Sequence, residues 1–170
     1  MYPRTLFQRY IAVPAALFIM VPFLLRNAAS SQSAKIAAVA SALRAARPSA
    51  KLGLVGFCWG GRYAITENHL FDASVSCHPG LVKYPVELDN VKKPFSLAAA
   101  AGDHYYNKAR AEETEKILKK RGLADVQVVV YEGVEHGWTI RGDMSNPIQK
   151  NARDQAVQQV VGWFEKHLKP

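Results

Sequence analysis

Four short apolar runs constrain this chain more than any other feature: 52–57 (LGLVGF), 73–77 (ASVSC), 95–101 (FSLAAAA) and 126–131 (VQVVVY). Each has the length of a strand, and none carries a charge. That pattern reads as strands buried on both faces. Helical periodicity fills the intervals. Residues 32–47 carry Ile36, Val39, Leu43 and Ala46 on one stripe, with Ser31 or Ser33 to cap and Pro48 to stop. Further helices are expected near 62–69, over 107–121 with Gly122 as its C-terminal stop, and over 148–168 with Ala156, Val160, Phe164 and Leu168 on one face. Residues 78–94 and 133–146 read as loops. Strands alternating with helices predict an α/β fold, a mostly parallel sheet of about four strands flanked by helices. In such sheets chemistry collects beyond the carboxyl ends of the strands.

Directly after the first run comes Gly56-Phe57-Cys58-Trp59-Gly60-Gly61. This is the G-x-C-x-G form of a nucleophile elbow, with Cys in place of Ser. A sharp strand–turn–helix holds the nucleophile in a strained conformation, so side chains at Gly56 and Gly60 are expected to collide with neighbouring backbone. The turn also sets Cys58 at a helix N-terminus, which favours negative charge on sulfur. Gly102-Asp103 follows the third run, and Gly133-Val134-Glu135-His136-Gly137-Trp138 follows the fourth. Nucleophile, acid, histidine is the α/β-hydrolase order. Three distant residues on loops after successive strands thereby become candidates for one site: Cys58 as nucleophile, His136 as base, Asp103 as its orienter. Taken singly, each has a plainer reading: a structural Cys, a turn Asp, a loop His. The Trp59 N–H is the expected oxyanion donor.

These residues resemble the dienelactone hydrolase family of α/β-hydrolases, in the flavour of its fungal members. The matching pieces are LVGFCWGGRYA at 54–64, SCHPG at 76–80, KKPFSLAAAAGD at 92–103, VVVYEGVEHGWTIRGD at 128–143, and the terminal helix ending AVQQVVGWFEKHL. The resemblance runs from about residue 32 to the end. It implies a Cys58–Asp103–His136 triad that opens ester or lactone bonds of a small molecule through a covalent acyl-enzyme, without metal or organic cofactor. It also makes His78 a candidate pocket-lining residue. On their own chemistry Arg141, able to pair with a substrate carboxylate, and Trp138, flanking a catalytic candidate, are further substrate-binding candidates. For these the plainer readings are core packing for Trp138 and a solvated loop position for Arg141. Complete members carry more strands before the helix at 32–47, and a Glu on an early strand, whereas the first acid here is Glu67. The expectation is therefore a shortened member, with residues 1–30 as an atypical basic segment and 31–170 as the C-terminal portion of the domain. Two results are expected: an exposed apolar edge on the nucleophile strand, and one oxyanion donor where two are usual. A catalytically impaired remnant, at most a binding module, is the alternative function.

Charge bears on partners. The chain carries 22 Lys/Arg and 14 Asp/Glu, and every acid lies at or beyond residue 67, so the +8 excess belongs to residues 1–66. The cations there are spread out and no nucleic-acid-binding motif accompanies them, so a nucleic-acid partner is not expected. Part of the excess is ordinary helix-end arginine, Arg44 and Arg47. Residues 10–25 (YIAVPAALFIMVPFLL) form an apolar run interrupted by Pro14 and Pro22. It is shorter than a spanning helix needs. A signal segment, a mitochondrial transit peptide, a membrane anchor and a packed segment all remain open. A free catalytic thiol favours a reducing compartment, hence the cytosol. Cys77 reads as a small buried hydrophobe rather than a second nucleophile. No function attaches to His69, His104 or His167; the last sits where a helix end favours positive charge. Oligomeric state is not legible.

Overall fold

The computed structural model describes Phe18, residues 21–23 and residues 26–169. Most of the apolar run at 10–25 lies outside the described residues. Among the described residues no helix is long and apolar enough to cross a membrane. The chain divides into two compact units, Met1–Ala38 and Val39–Pro170. The second contains the sheet.

The elements are α1 (Ala29–Ala46), β1 (Gly53–Phe57), α2 (Trp59–Thr66), β2 (Ala73–Cys77), β3 (Phe95–Ala100), α3 (Lys108–Lys120), β4 (Val126–Tyr131), α4 (Trp138–Arg141) and α5 (Pro147–Leu168). Short 3-10 turns occupy Asn68–Leu70 and Val86–Asn90. The four strands are all parallel, in the order β1-β2-β3-β4. Phe57 lies beside Cys77, Cys77 beside Ala98, and Ala100 beside Tyr131, so the strands end together. That alignment puts the four following loops at one rim.

Period-2 alternation splits β3 between two cores. Phe95, Leu97 and Ala99 pack with Ile65, Leu88, Ala111 and Leu118 on one face. Ala98 and Ala100 join Val75, Cys77, Tyr131, Trp138 and α5's Ala152, Ala156 and Trp163 on the other. Full burial of a side chain such as Phe95, Leu97 or Leu118 contributes about 1.5–3 kcal/mol. The small polar residues inside the sheet are all partnered, as burial demands. Ser74 and Ser76 donate to the Ala64 and Gly61 carbonyls, which tie β2 to α2. Gln159 of α5 donates to Ser96 Oγ and the Leu97 carbonyl while accepting from the Tyr131 hydroxyl. Asn107 caps α3, and Asn146 caps α5 with Pro147 in its first turn. Gly122 adopts φ 81° and ends α3's C-terminal turn as expected.

β1 stands at the edge of the described sheet, with Val55 and Phe57 each 37% exposed. The apolar edge expected for the nucleophile strand is present among the described residues. Two cations of the acid-free stretch find partners beyond it. Arg44 bonds Asp72 at 3.2 Å, and Arg62 forms a two-toothed ion pair with Glu87 at 2.9 Å (Nε–Oε2) and 2.5 Å (Nη2–Oε1). The positive end expected at His167 is not favoured: its ring packs on Trp163 at 4.3 Å, and burial lowers its pKa.

Candidate active site

Cys58 sits between β1 and α2 at φ 52° and ψ −118°, a conformation that L-residues rarely hold. Its main chain is fastened from three sides. The Cys58 N–H points at the Cys77 carbonyl (3.1 Å) and at His78 Nδ1 (3.2 Å), and the Cys58 carbonyl accepts from the Gly61 and Gly80 N–H groups, both at 3.0 Å. A Cβ on Gly56 would lie 2.0 Å from the Gly60 carbonyl oxygen, so glycine is obligatory there. The parallel expectation for Gly60 is corrected: a Cβ there meets no described atom within 4 Å. Gly61 is the second close approach, at 3.1 Å from the Cys77 carbonyl and 3.0 Å from Pro79 Cα. The Gly-Gly pair thus does not break the helix; α2 begins at Trp59, and Gly61 lets it lie against the end of β2.

The three candidates for one site meet. His136 Nε2 is 3.0 Å from Cys58 Sγ, and His136 Nδ1 is 2.8 Å from Asp103 Oδ2. The Asp103 side chain is fully buried; that of His136 is 9% exposed. Asp103 Oδ1 accepts from the N–H groups of Tyr105 (2.7 Å) and Tyr106 (3.2 Å), so the carboxylate is held by the loop that follows it. Because Asp103 accepts, Nδ1 of His136 donates, and Nε2 faces the sulfur as acceptor. Gly137 at φ 89° turns the chain into α4 immediately after His136.

The remaining candidates separate. Trp59 opens α2, its ring edge-on to Tyr63 at 5.2 Å. His78 is fully buried, with both ring nitrogens engaged, Nδ1 by the Cys58 N–H and Nε2 by Thr139 Oγ1. Trp138 is 2% exposed and packs on Tyr131 at 4.6 Å between ring centres. Arg141 is exposed, with its guanidinium folded over Gly137 beside His136. Cys77 is fully buried in the core, and burial pushes its thiol pKa up to about 12, as its reading as a small hydrophobe requires. Sequence reasoning missed Tyr105, whose 43%-exposed ring lies 5.1 Å from that of His136. It also missed Gly80, whose Cα leaves room beside His136 Cε1, and Thr139. The signal for Tyr105 was the Asp followed two residues later by an aromatic, a side chain-to-backbone turn. Among the described residues no cluster of His, Cys, Asp and Glu is arranged to hold a metal ion.

An elbow, then an acid, then a histidine, each after its own strand of a parallel sheet, is the α/β-hydrolase arrangement, and solved structures of that class share the fold. An esterase from Pyrococcus furiosus aligns with a TM-score of 0.63 at 16% identity, over 79% of this chain and 61% of its own. At the level of sequence, the dienelactone hydrolase family profile matches residues 16–168, and the chain belongs to that family. Similar curated proteins are hydrolase tropI of Talaromyces stipitatus, 34% identical over 76% of this chain and 51% of its own, and the carboxymethylenebutenolidase homolog of Pongo abelii, 28% identical over 79% and 56%. The chain spans about half the length of the curated relatives it matches.

Proposed function

We propose that this chain hydrolyses ester or lactone bonds of a small molecule through a cysteine-linked acyl-enzyme. The observation that carries the reading is the unbroken hydrogen-bonded line from Cys58 Sγ through His136 to Asp103. In acylation, His136 Nε2 takes the Cys58 proton as sulfur attacks the carbonyl carbon. The oxyanion forms beside the first turn of α2, with the Trp59 N–H as donor. The carbon–oxygen bond then breaks, and His136 returns the proton to the leaving oxygen, which stays tethered when the substrate is a lactone. In deacylation, His136 takes a proton from water, water oxygen attacks the thioester carbonyl, the carbon–sulfur bond breaks, and the sulfur recovers its proton. Asp103 keeps Nδ1 protonated and stabilises the imidazolium formed in each half. Every step is carried by these side chains. Arg141, exposed beside His136, is the residue best placed to pair with a substrate carboxylate. A nucleophilic thiol persists in a reducing compartment, so we assign the protein to the cytosol.

The test is hydrolysis of p-nitrophenyl acetate by the 170-residue chain, with mass analysis of Cys58 during turnover. An acetylated Cys58 and loss of turnover in Cys58→Ala are expected. Turnover that survives Cys58→Ala overturns the reading. The alternative, an impaired remnant acting as a binding module, is favoured by the edge position of β1 among the described residues. It predicts a Cys58 that iodoacetamide alkylates no faster than an unfolded cysteine.

A further inference from the structure

We infer that His78 is a positioning residue, a neutral clamp joining the Cys58 elbow to the segment that carries His136. The inference rests on Cys58 acting as the proposed nucleophile, and it adds a residue to that mechanism which touches no substrate.

Three observations converge on it. His78 is fully buried yet fully engaged: Nδ1 accepts from the Cys58 N–H at 3.2 Å, and Nε2 lies 2.5 Å from Thr139 Oγ1. These partners determine the tautomer. The Cys58 N–H can only donate, so Nδ1 is bare, Nε2 carries the hydrogen, and Thr139 Oγ1 accepts it. One ring therefore spans from the nucleophile's own backbone to α4, three residues beyond His136. The second observation is strain. His78 adopts φ 37°, and Cys58, whose amide it receives, adopts φ 52°. Two residues in left-handed backbone face each other across adjacent strand ends, and such conformations persist only where surrounding contacts over-determine them. The His78 N–H bonds the Ala98 carbonyl at 2.8 Å, so the clamp is anchored in β3. The third is ring packing: the imidazole meets His136 edge-on at 5.2 Å and is bracketed by Phe57 and Trp138.

Protonation releases the clamp. A hydrogen on Nδ1 would point at the Cys58 N–H, turning an acceptor–donor pair into two facing donors. The charged and titratable groups around the ring are His136, Asp103 and Arg141. Burial first, then the positive charge of His136, drive the pKa of His78 down to about 4, with Arg141 adding to the fall and Asp103 opposing it. The clamp thus stays neutral well below the ordinary imidazole value. Two histidines 5.2 Å apart therefore divide the work, His136 facing the sulfur and His78 holding the backbone beneath it.

The test uses the full chain and two readouts. Proton-detected 15N spectra of histidine-labelled protein report tautomer and titration without any variant. A His78 with Nε2–H and bare Nδ1, still neutral at pH 5.5, is expected; an Nδ1–H tautomer, or protonation near the ordinary value, overturns the inference. Iodoacetamide alkylation of Cys58 then reads the elbow. In Thr139→Val and His78→Leu the rate should fall by about 10- to 100-fold, the cost of misplacing a reacting group by an ångström or less. His78→Asn keeps an acceptor near Nδ1 and tolerates left-handed backbone, so it should recover most of the loss. Equal alkylation rates and pH profiles in wild type and all three variants overturn the clamp while leaving the nucleophile intact. A wild-type Cys58 that reacts no faster than in the unfolded chain overturns the nucleophile reading, and the clamp with it.

Discussion

Gly56 and Gly60 frame Cys58 symmetrically in the motif, but alanine at the two positions should have opposite effects. At Gly56 the new Cβ would lie 2.0 Å from the Gly60 oxygen, 2.5 Å from its carbon and 2.9 Å from the Gly61 nitrogen, all backbone. Reaching even a tight contact of 3.0 Å requires a retreat of about 1 Å. α2 cannot easily supply it, because Gly61 N–H is bonded to the Cys58 carbonyl and Gly61 already abuts the Cys77 carbonyl and Pro79. The elbow must open instead. Overpacking of this kind costs about 1–3 kcal/mol. Losing one or two of the four hydrogen-bond contacts to the Cys58 main chain adds about 1 kcal/mol each. Gly56→Ala should therefore destabilise by about 2–5 kcal/mol, a large share of the roughly 5–15 kcal/mol that holds a domain together. Gly60→Ala meets no described atom and lies within α2, so it should stabilise by about 0.5–1 kcal/mol through reduced freedom of the unfolded chain. Urea unfolding followed by fluorescence of Trp59, Trp138 and Trp163 measures both from one m-value series. A Gly56→Ala protein within about 1 kcal/mol of wild type, or a Gly60→Ala protein as unstable as Gly56→Ala, would refute the reasoning.

Asp103→Asn leaves an amide where a carboxylate accepts three hydrogen bonds, and lets His136 take the wrong tautomer; turnover of p-nitrophenyl acetate should fall by about 10³–10⁴-fold, and a loss below tenfold would remove Asp103 from the mechanism. Protonation of buried His78 is disfavoured in the folded chain, so the unfolded state binds more protons between the ordinary value of 6.5 and about 4. Its contribution is nil above pH 6.5, and about 3 kcal/mol of stability is lost by pH 4. Urea midpoints in wild type should decline over that window more steeply than in His78→Asn. Glu87→Gln strands Arg62, whose side chain is 13% exposed, and should cost about 3–5 kcal/mol at pH 7. Burial alone would raise the Glu87 pKa, but its bonds to Arg62 and the Lys83 N–H hold it below the ordinary carboxylate value. The pair's contribution is therefore complete at neutral pH and lost as pH falls through that lowered value, so wild type and Glu87→Gln should converge in acid; a constant gap would show that the charge is irrelevant.

What was legible from the chain is what depends on near neighbours. Apolar run length marks β1 to β4, Gly122 marks the end of α3, and the spacing around Cys58 marks the elbow, because each is decided within a few residues. The order Cys58, Asp103, His136 then needs only a parallel sheet with aligned strand ends to become one candidate site, and the register aligns those ends. What was not legible depends on approach from afar. Gly61 looks like a helix breaker until the Cys77 carbonyl is seen 3.1 Å from where its Cβ would be. Trp138 follows a candidate catalytic histidine, yet the left-handed turn at Gly137 swings it inward onto Tyr131. The four-residue α4 and the turn at Val86–Asn90 are too short to show periodicity, and Pro85 and Pro94 around the latter read as loop. His78 is the clearest case: a histidine at φ 37° beneath another strand's nucleophile has no local signature, though a polar ring directly after an all-buried strand hints that its partners lie inside.

The position of the site on the sheet has a mechanical consequence. β1 has no strand partner on its far side among the described residues, so half of its backbone hydrogen-bonding capacity is not used within the described sheet. An elbow that relied on both neighbours of its strand would be loosened by this. Here the main-chain hydrogen bonds of Cys58 among the described residues run to the Cys77 carbonyl of β2, to His78 and Gly80 beyond it, and to Gly61 in α2, not across β1. β2 in turn is buried along its whole length and tied through Ser74 and Ser76 to α2. Asp103 and His136 hang from β3 and β4, further into the same half of the sheet. Cys58, His136 and Asp103 are therefore braced as a unit by β2 to β4 and α2, and the Cys58–His136–Asp103 line does not depend on what lies across β1. The apolar surface near the end of β1 is different. Phe57 at the end of β1, Ile140 on α4, and Val157 and Val161 on α5 share one apolar groove beyond the edge strand, and all four are substantially exposed. The Cys58–His136–Asp103 geometry should thus tolerate substitutions on the outer face of β1, and the exposed groove should be the part that responds to them.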